Sequence, residues 1–72
     1  MNLLILKSDI ASIKAVQKVS KVLNPHPRIS RWTVDLDDCD KVLRIEMCQS
    51  LSEGEVQQLI DPLGYYCEEL QY

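Results

Sequence analysis

Residues 3–23 constrain the fold more than any other part of the chain. Residues 3–6 (LLIL) are apolar at every position, which is typical of a strand in the interior of a sheet. Apolar residues then recur every three or four positions and predict a helix with one buried stripe: Ile10, Ile13, Val16, Val19 and Leu23. Either Ser8 or Asp9 can cap its first turn. The chain is therefore expected to begin with a β-α unit.

A change of period after this helix predicts a β-hairpin. Pro25 ends the helix, because proline cannot continue its hydrogen-bond ladder. Apolar and polar residues alternate from Ile29 to Leu36 and again over residues 42–47, as in two half-buried strands. The acidic residues 37–40 between them are suited to a tight turn.

The end of the chain predicts a second, shorter helix and a last strand. Ser52 and Glu55 have the spacing of a capping box, and Gly64 is placed to end the helix. Residues 65–70 then predict a short strand. The order β-α-β-β-α-β favours a ferredoxin-like α+β sandwich over residues 1–72. Its sheet is antiparallel with strand order 4-1-3-2, and both helices lie on one face.

Composition narrows the classes of function. The 72 residues suffice for a single domain, and the net charge of −3 argues against binding the phosphate backbone of nucleic acids. No apolar run has the roughly 20 residues that a membrane span requires. The three cysteines are too few and too widely spaced for a disulfide framework, which favours a reducing, cytoplasmic setting.

The chain resembles the heavy-metal-associated domains of copper chaperones and metal-transporting ATPases over most of its length. The resemblance is carried by the first strand-to-helix turn with Ala15, Val16 and Val19 after it, by residues 32–36 (WTVDL) and by residues 63–65 (LGY). It implies the same ferredoxin-like fold. It also implies where the metal motif of that family, Cys-x-x-Cys in the first turn, would lie.

The two motif positions hold Asp9 and Ser12 in this chain, so both thiolates are missing. A soft cation such as Cu(I) prefers thiolate ligands, which a carboxylate and a hydroxyl do not replace. We therefore assign no metal ligand to Asp9 or Ser12 and expect no cofactor. The resemblance implies the fold without the activity, and a non-enzymatic interaction module is the leading hypothesis.

The alternative is a metal-ion carrier that uses other ligands, of which Cys39 and Cys67 are the best candidates. The predicted strand order brings the first turn, the hairpin turn and the start of the last strand to one end of the sheet. The competing interpretation is ordinary packing, with one buried and one turn cysteine. No cysteine pair has Cys-x-x-Cys spacing, and Cys48 is expected at the opposite end.

The acidic hairpin does not have the full pattern of a calcium-binding loop. Asp35, Asp37 and Glu46 match part of a calcium-loop spacing, but Asp40 stands where glycine is required and the flanks are strands. A solvated turn is the simpler interpretation. With one histidine and two glycines, the chain offers no recognisable catalytic group or phosphate loop, so no enzyme is predicted.

Two surfaces are candidates for contact with other proteins. The lysines at positions 14, 18 and 21 fall on an outward helix face, and basic residues near this helix dock acidic partners in the resembled chaperones. The alternative is an ordinary solvated face. The uncovered sheet face would expose apolar residues of the first strand beside Val42, flanked by Arg44 and Glu46. This arrangement predicts a weak homodimer through that face.

Overall fold

The computed structural model describes residues 2–70 and contains a four-stranded antiparallel sheet with two helices on one face. The elements in chain order are β1 (Asn2–Ser8), α1 (Ile13–Leu23), β2 (Ile29–Val34), β3 (Leu43–Met47), α2 (Glu53–Ile60) and β4 (Cys67–Glu69). A 3₁₀ turn (Asp61–Leu63) follows α2. The strand order β2-β3-β1-β4 places β1 in the interior. This confirms the predicted ferredoxin-like sandwich.

The register of the sheet places every second residue of β1 on the open face. Leu3 lies opposite Glu46 of β3, and Ile5 lies opposite Arg44. The short strand β4 pairs with the last three residues of β1 only, with Ser8 opposite Cys67. Strand β2 carries an irregularity between Ile29 and Arg31. The register thus determines which strand residues share the open face of the sheet and which share the face covered by the helices.

The hydrophobic core lies between the inner face of the sheet and the two helices. Strand residues Leu6, Leu43 and Ile45 have no exposed surface. They belong to one buried cluster with Val19 of α1 and Ile60 of α2. The alternation predicted for residues 42–47 is confirmed, because Leu43, Ile45 and Met47 are all buried.

Helix α1 begins later than the sequence pattern indicates. Ser12 is the capping residue, and its Oγ accepts a hydrogen bond from the Ala15 N–H at 3.1 Å. The prediction that Ser8 or Asp9 caps this helix is wrong. Ile10 is buried from the preceding loop, whereas Ile13 is 70% exposed, so the predicted stripe is also wrong at its start. The buried side of α1 instead follows Ala15, Val19 and Leu23.

Helix α2 and the last strand are joined by side chains of the helix. The capping box of Ser52 and Glu55 is formed as predicted, and Gly64 ends the following turn with φ of 89°. Because alternate residues of an edge strand point their N–H groups away from the neighbouring strand, β4 has outward donors. The Cys67 N–H donates to Gln57 Oε1 at 2.7 Å, and the Glu69 N–H donates to the carboxylate of Glu53.

Candidate functional site

Three connecting segments meet at one end of the sheet, where the resemblance implies a metal site. They are residues 9–12 after β1, residues 35–42 between β2 and β3, and residues 64–66 before β4. The Ser8 N–H donates to the Asp40 carbonyl at 2.9 Å, and the Ser8 hydroxyl donates to the Lys41 carbonyl at 2.6 Å. The predicted gathering of these segments is therefore observed.

Asp9 fastens the first loop to the start of β4. Its Oδ1 accepts a hydrogen bond from the Tyr66 N–H at 2.8 Å, and its own N–H donates to the Tyr66 carbonyl at 3.2 Å. Ser12, the second motif position, is occupied as the cap of α1. Both side chains at the positions of the family motif therefore satisfy backbone N–H groups of this chain.

The three cysteines are free and occupy different environments. Cys39 and Cys48 are exposed, while Cys67 is buried beside the first loop. Burial raises the pKa of the Cys67 thiol to about 11, with smaller contributions from the negative charges of Glu53 and Asp9. Because the thiolate is the form that binds metal, this environment opposes ligation by Cys67 at neutral pH.

Among residues 2–70, one group of potential metal donors lies close together in the hairpin turn. The donor atoms of Asp38, Cys39 and Asp40 are within 4.8 Å of one another. These are three consecutive residues, and Asp38 Oδ1 already accepts the Asp40 N–H at 2.8 Å. Cys67 is not part of this group. The cluster has the form of a tight solvated turn.

The spacing that suggested calcium does not assemble into a site. Asp35 Oδ1 accepts the Asp37 N–H at 3.1 Å, which is a local turn contact. Glu46 lies on β3, with its carboxylate 3.9 Å from Arg31 Nε. The carboxylates therefore serve different local contacts.

The open sheet face also carries a charged group that no sequence motif indicates. Lys7 Nζ lies 2.6 Å from Glu68 Oε1, and the Tyr66 hydroxyl donates to Glu68 Oε2 at 2.6 Å. These two hydrogen bonds lower the pKa of Glu68, and the bonds to Glu68 raise the pKa of Lys7 and of Tyr66. The signal was the register of β1 with β4, which places Lys7 opposite Glu68. Lys7 and Tyr66 are exposed and Glu68 is partly exposed, so the group lies on the surface.

The predicted contact surfaces are both accessible. Lys14, Lys18 and Lys21 are exposed on α1, and Ile13, the first residue of that helix, is also exposed. The ion pairs within residues 2–70 are Lys7–Glu68 and Arg31–Glu46, so these lysines have no acidic partner there. On the open sheet face, Val42 and Glu46 are half-buried and Arg44 is exposed.

The comparison with solved structures supports the fold. A structure described as "Crosstalk between Cu(I) and Zn(II) homeostasis" superposes on 97% of this chain and 100% of its own, with a TM-score of 0.79 and 8% identity. At that identity the likeness shows the architecture alone. No family model matches the sequence, and no curated protein matches it. Within residues 2–70, each helix is too short or too polar to cross a membrane.

Proposed function

We propose that this chain is a small, non-enzymatic interaction module whose heavy-metal-associated-like fold has lost the thiolate metal site. The observation that carries the proposal is the use of Asp9 and Ser12. The Asp9 carboxylate accepts the Tyr66 N–H, and the Ser12 hydroxyl accepts the Ala15 N–H. These two positions are cysteines in the resembled family. In this chain, their side chains accept hydrogen bonds from backbone N–H groups.

The chemistry of the Asp9 and Ser12 side chains as metal ligands supports the loss of metal binding. Carboxylate and hydroxyl oxygens are hard ligands, whereas Cu(I) is selected by soft thiolates. A cation that recruited Asp9 would also compete with its hydrogen bond to the Tyr66 N–H, at 2.8 Å. In this proposal, the first loop therefore has a structural role and binds no metal.

The non-enzymatic part rests on the absence, within residues 2–70, of any buried acidic, basic or histidine side chain. Among the described residues, the one buried titratable group is the Cys67 thiol, and its raised pKa of about 11 keeps it protonated and unreactive at neutral pH. Enzymes usually shift the pKa of catalytic groups by removing them from water. The pKa of the Glu68 carboxyl is lowered, but the main cause is a hydrogen bond from Lys7 in an exposed surface pair. This is the arrangement of a structural ion pair.

The basic face of α1 is the surface that we propose for a protein partner. It presents Lys14, Lys18 and Lys21, and α1 contains no acidic residue to neutralise them. The exposed Ile13 adds an apolar contact at the loop end of the helix. An acidic partner surface fits this face, and its binding should weaken as salt is added. The proposal includes a cytoplasmic setting, in keeping with three free cysteines.

The alternative, a metal carrier that uses Cys39 and Cys67, remains a prediction. It requires two sulfur atoms that share one ion within roughly 4 Å of each other, as Zn–S bonds of about 2.3 Å dictate. The burial of Cys67 and its raised pKa of about 11 oppose it. Under this alternative, Cys67→Ala would abolish stoichiometric metal binding.

The proposal is tested by restoring the motif. Cu(I) is titrated against a strong competing chelator with the wild-type chain, the double variant Asp9→Cys/Ser12→Cys and the single variant Asp9→Cys as control. We expect tight one-to-one binding in the double variant alone. Tight wild-type binding that is lost in Asp9→Ala/Ser12→Ala would overturn the proposal. The same titration with Zn(II) and Cys67→Ala tests the carrier alternative.

A further inference from the structure

We propose that a second copy of this chain packs face to face on the open sheet face, related by a two-fold axis. In this arrangement Arg44 lies opposite Glu46 of the partner subunit, and Ile5 lies opposite Leu3 of the partner subunit. The inference deepens the proposed function, because it names one partner of the interaction module. It rests on a different surface from the basic face of α1.

The open face carries apolar surface that the helices do not cover. Leu3 is 55% exposed, while Ile5 and Val42 are half-buried. Leu3 also lines a shallow depression with Arg31, Thr33, Arg44 and Glu46. An uncovered apolar strip rimmed by charged residues is a common feature of contact surfaces between proteins.

The register of β1 and β3 makes this surface complementary to itself. Leu3 lies beside Glu46 in one row across the strands, and Ile5 lies beside Arg44 in a neighbouring row. A two-fold axis that runs between these rows, perpendicular to the strands, exchanges them in the second copy. Apolar side chains then meet apolar side chains, and each arginine meets a glutamate. Such an isologous contact closes as a dimer.

The charges on this face favour the same pairing. Arg44 is exposed and has no acidic partner among residues 2–70. Glu46 has Arg31 at 3.9 Å, but that is a long contact, and the Arg31 side chain is 77% exposed. An exposed pair of this kind contributes little to stability. The Glu46 carboxylate can therefore accept a better-placed arginine from a second copy.

The contact fits the known geometry of stacked sheets. Two sheets pack about 10 Å apart with their strands within roughly 30° of each other. At that separation, side chains from the two open faces interdigitate. Among the aliphatic residues described on this face, Leu3 is well exposed, whereas Ile5 and Val42 are half-buried. The apolar area available for contact is therefore small, and we expect association only at high protein concentration.

The experiment measures mass by sedimentation or light scattering as protein concentration rises. The wild-type mass should rise from 8.3 kDa towards twice that value. Arg44→Glu and Glu46→Arg each place like charges opposite one another and should weaken association at least about tenfold. Arg28→Glu, at an exposed arginine before β2, is the matched control and should leave association unchanged.

Mixing the two charge variants tests the register itself. The Arg44→Glu chain carries acidic side chains at both positions, and the Glu46→Arg chain carries basic side chains at both. Opposite charges therefore face each other in the mixed dimer, so dimers should return although neither variant dimerises alone. Circular dichroism verifies that each variant is folded.

Two results would refute the inference. One is a wild-type mass that stays at 8.3 kDa up to millimolar concentration, and the other is a mixture of the charge variants that stays monomeric. Neither result bears on the metal titration, so the two proposals fail separately.

Discussion

Asp9 and Tyr66 exchange two hydrogen bonds although they lie 57 positions apart in the chain. The Tyr66 N–H donates to the Asp9 carboxylate at 2.8 Å, and the Asp9 N–H donates to the Tyr66 carbonyl at 3.2 Å. The second bond is made by the backbone and survives any substitution except proline. The first depends on the side chain alone and can be tested.

Replacing Asp9 should therefore destabilise the fold through the loss of one charge-assisted bond. Asp9→Ala leaves the Tyr66 N–H without its acceptor, and we expect a loss of about 1–2 kcal/mol in the free energy of unfolding. Asp9→Asn keeps an oxygen acceptor and should lose less. Urea denaturation measures both, with the slope unchanged. Equal stability of Asp9→Ala and the wild type would show that this bond contributes nothing.

The cap of α1 makes a separate prediction. Ser12→Ala removes the oxygen that accepts the Ala15 N–H at 3.1 Å and should cost about 1 kcal/mol. Ser12→Thr retains a hydroxyl and should restore most of that loss. Thermal unfolding of the two variants and the wild type measures the difference. If threonine and alanine behave alike, the hydroxyl is not the source of the effect.

The overall fold was predictable because the sequence signals of its strands and helices are local. Strand alternation over residues 42–47 and the capping box of Ser52 and Glu55 act through nearby residues, so the sequence displays them directly. The start of α1 was not predictable in the same way. Ile10, Ile13 and Val16 continue the helical spacing, but tertiary packing buries Ile10 from a loop and leaves Ile13 exposed. The sequence pattern indicated Ser8 or Asp9 as the cap, whereas the structure uses Ser12.

The candidate site was predictable in location and not in chemistry. Strand order alone brings residues 9–12, 35–42 and 64–66 to one end of the sheet. The role of Asp9 depends on a hydrogen bond to Tyr66, across 57 residues of chain, and no local pattern encodes that contact. The ion pair of Lys7 with Glu68 depends on the register of a strand only three residues long.

The two glycines should respond to alanine with opposite signs. Gly64 has φ of 89°, so Gly64→Ala forces a side chain into the left-handed region and should cost about 1 kcal/mol, although its Cβ meets no atom within 4 Å. In the first turn of α2, a Cβ at Gly54 lies 3.9 Å from Ser52 Oγ, an ordinary contact. Gly54→Ala should therefore stabilise the helix by about 0.5–1 kcal/mol. Denaturation midpoints compare the pair directly.

Stability should fall at alkaline pH because of Cys67. Burial raises the pKa of its thiol from 9.0 to about 11 in the folded chain, so the unfolded chain releases this proton first as the pH rises. The stabilisation is complete below pH 9 and is lost as the pH passes through 11, by up to about 2–3 kcal/mol. Unfolding measured across this range in the wild type, Cys67→Ala and Cys39→Ala tests the assignment.

The slope of stability against pH is the informative quantity in that experiment. Below pH 9, Cys67→Ala should be less stable than the wild type because it leaves a cavity, but its slope between pH 9 and 11 should be shallower. Cys39 is exposed, so Cys39→Ala should keep the wild-type slope. An unchanged slope in Cys67→Ala would assign the alkaline loss to other groups.

The hydrogen bonds from β4 to the side chains of α2 also determine how this sheet can grow. An edge strand normally presents free N–H groups that can template the addition of another strand, which is a route to fibrils. Here the outward donors of Cys67 and Glu69 are already bound by Gln57 and Glu53. A strand arriving from another chain would find no donor at these two positions. Helix α2 thus protects this edge against amyloid-like extension as well as covering the core.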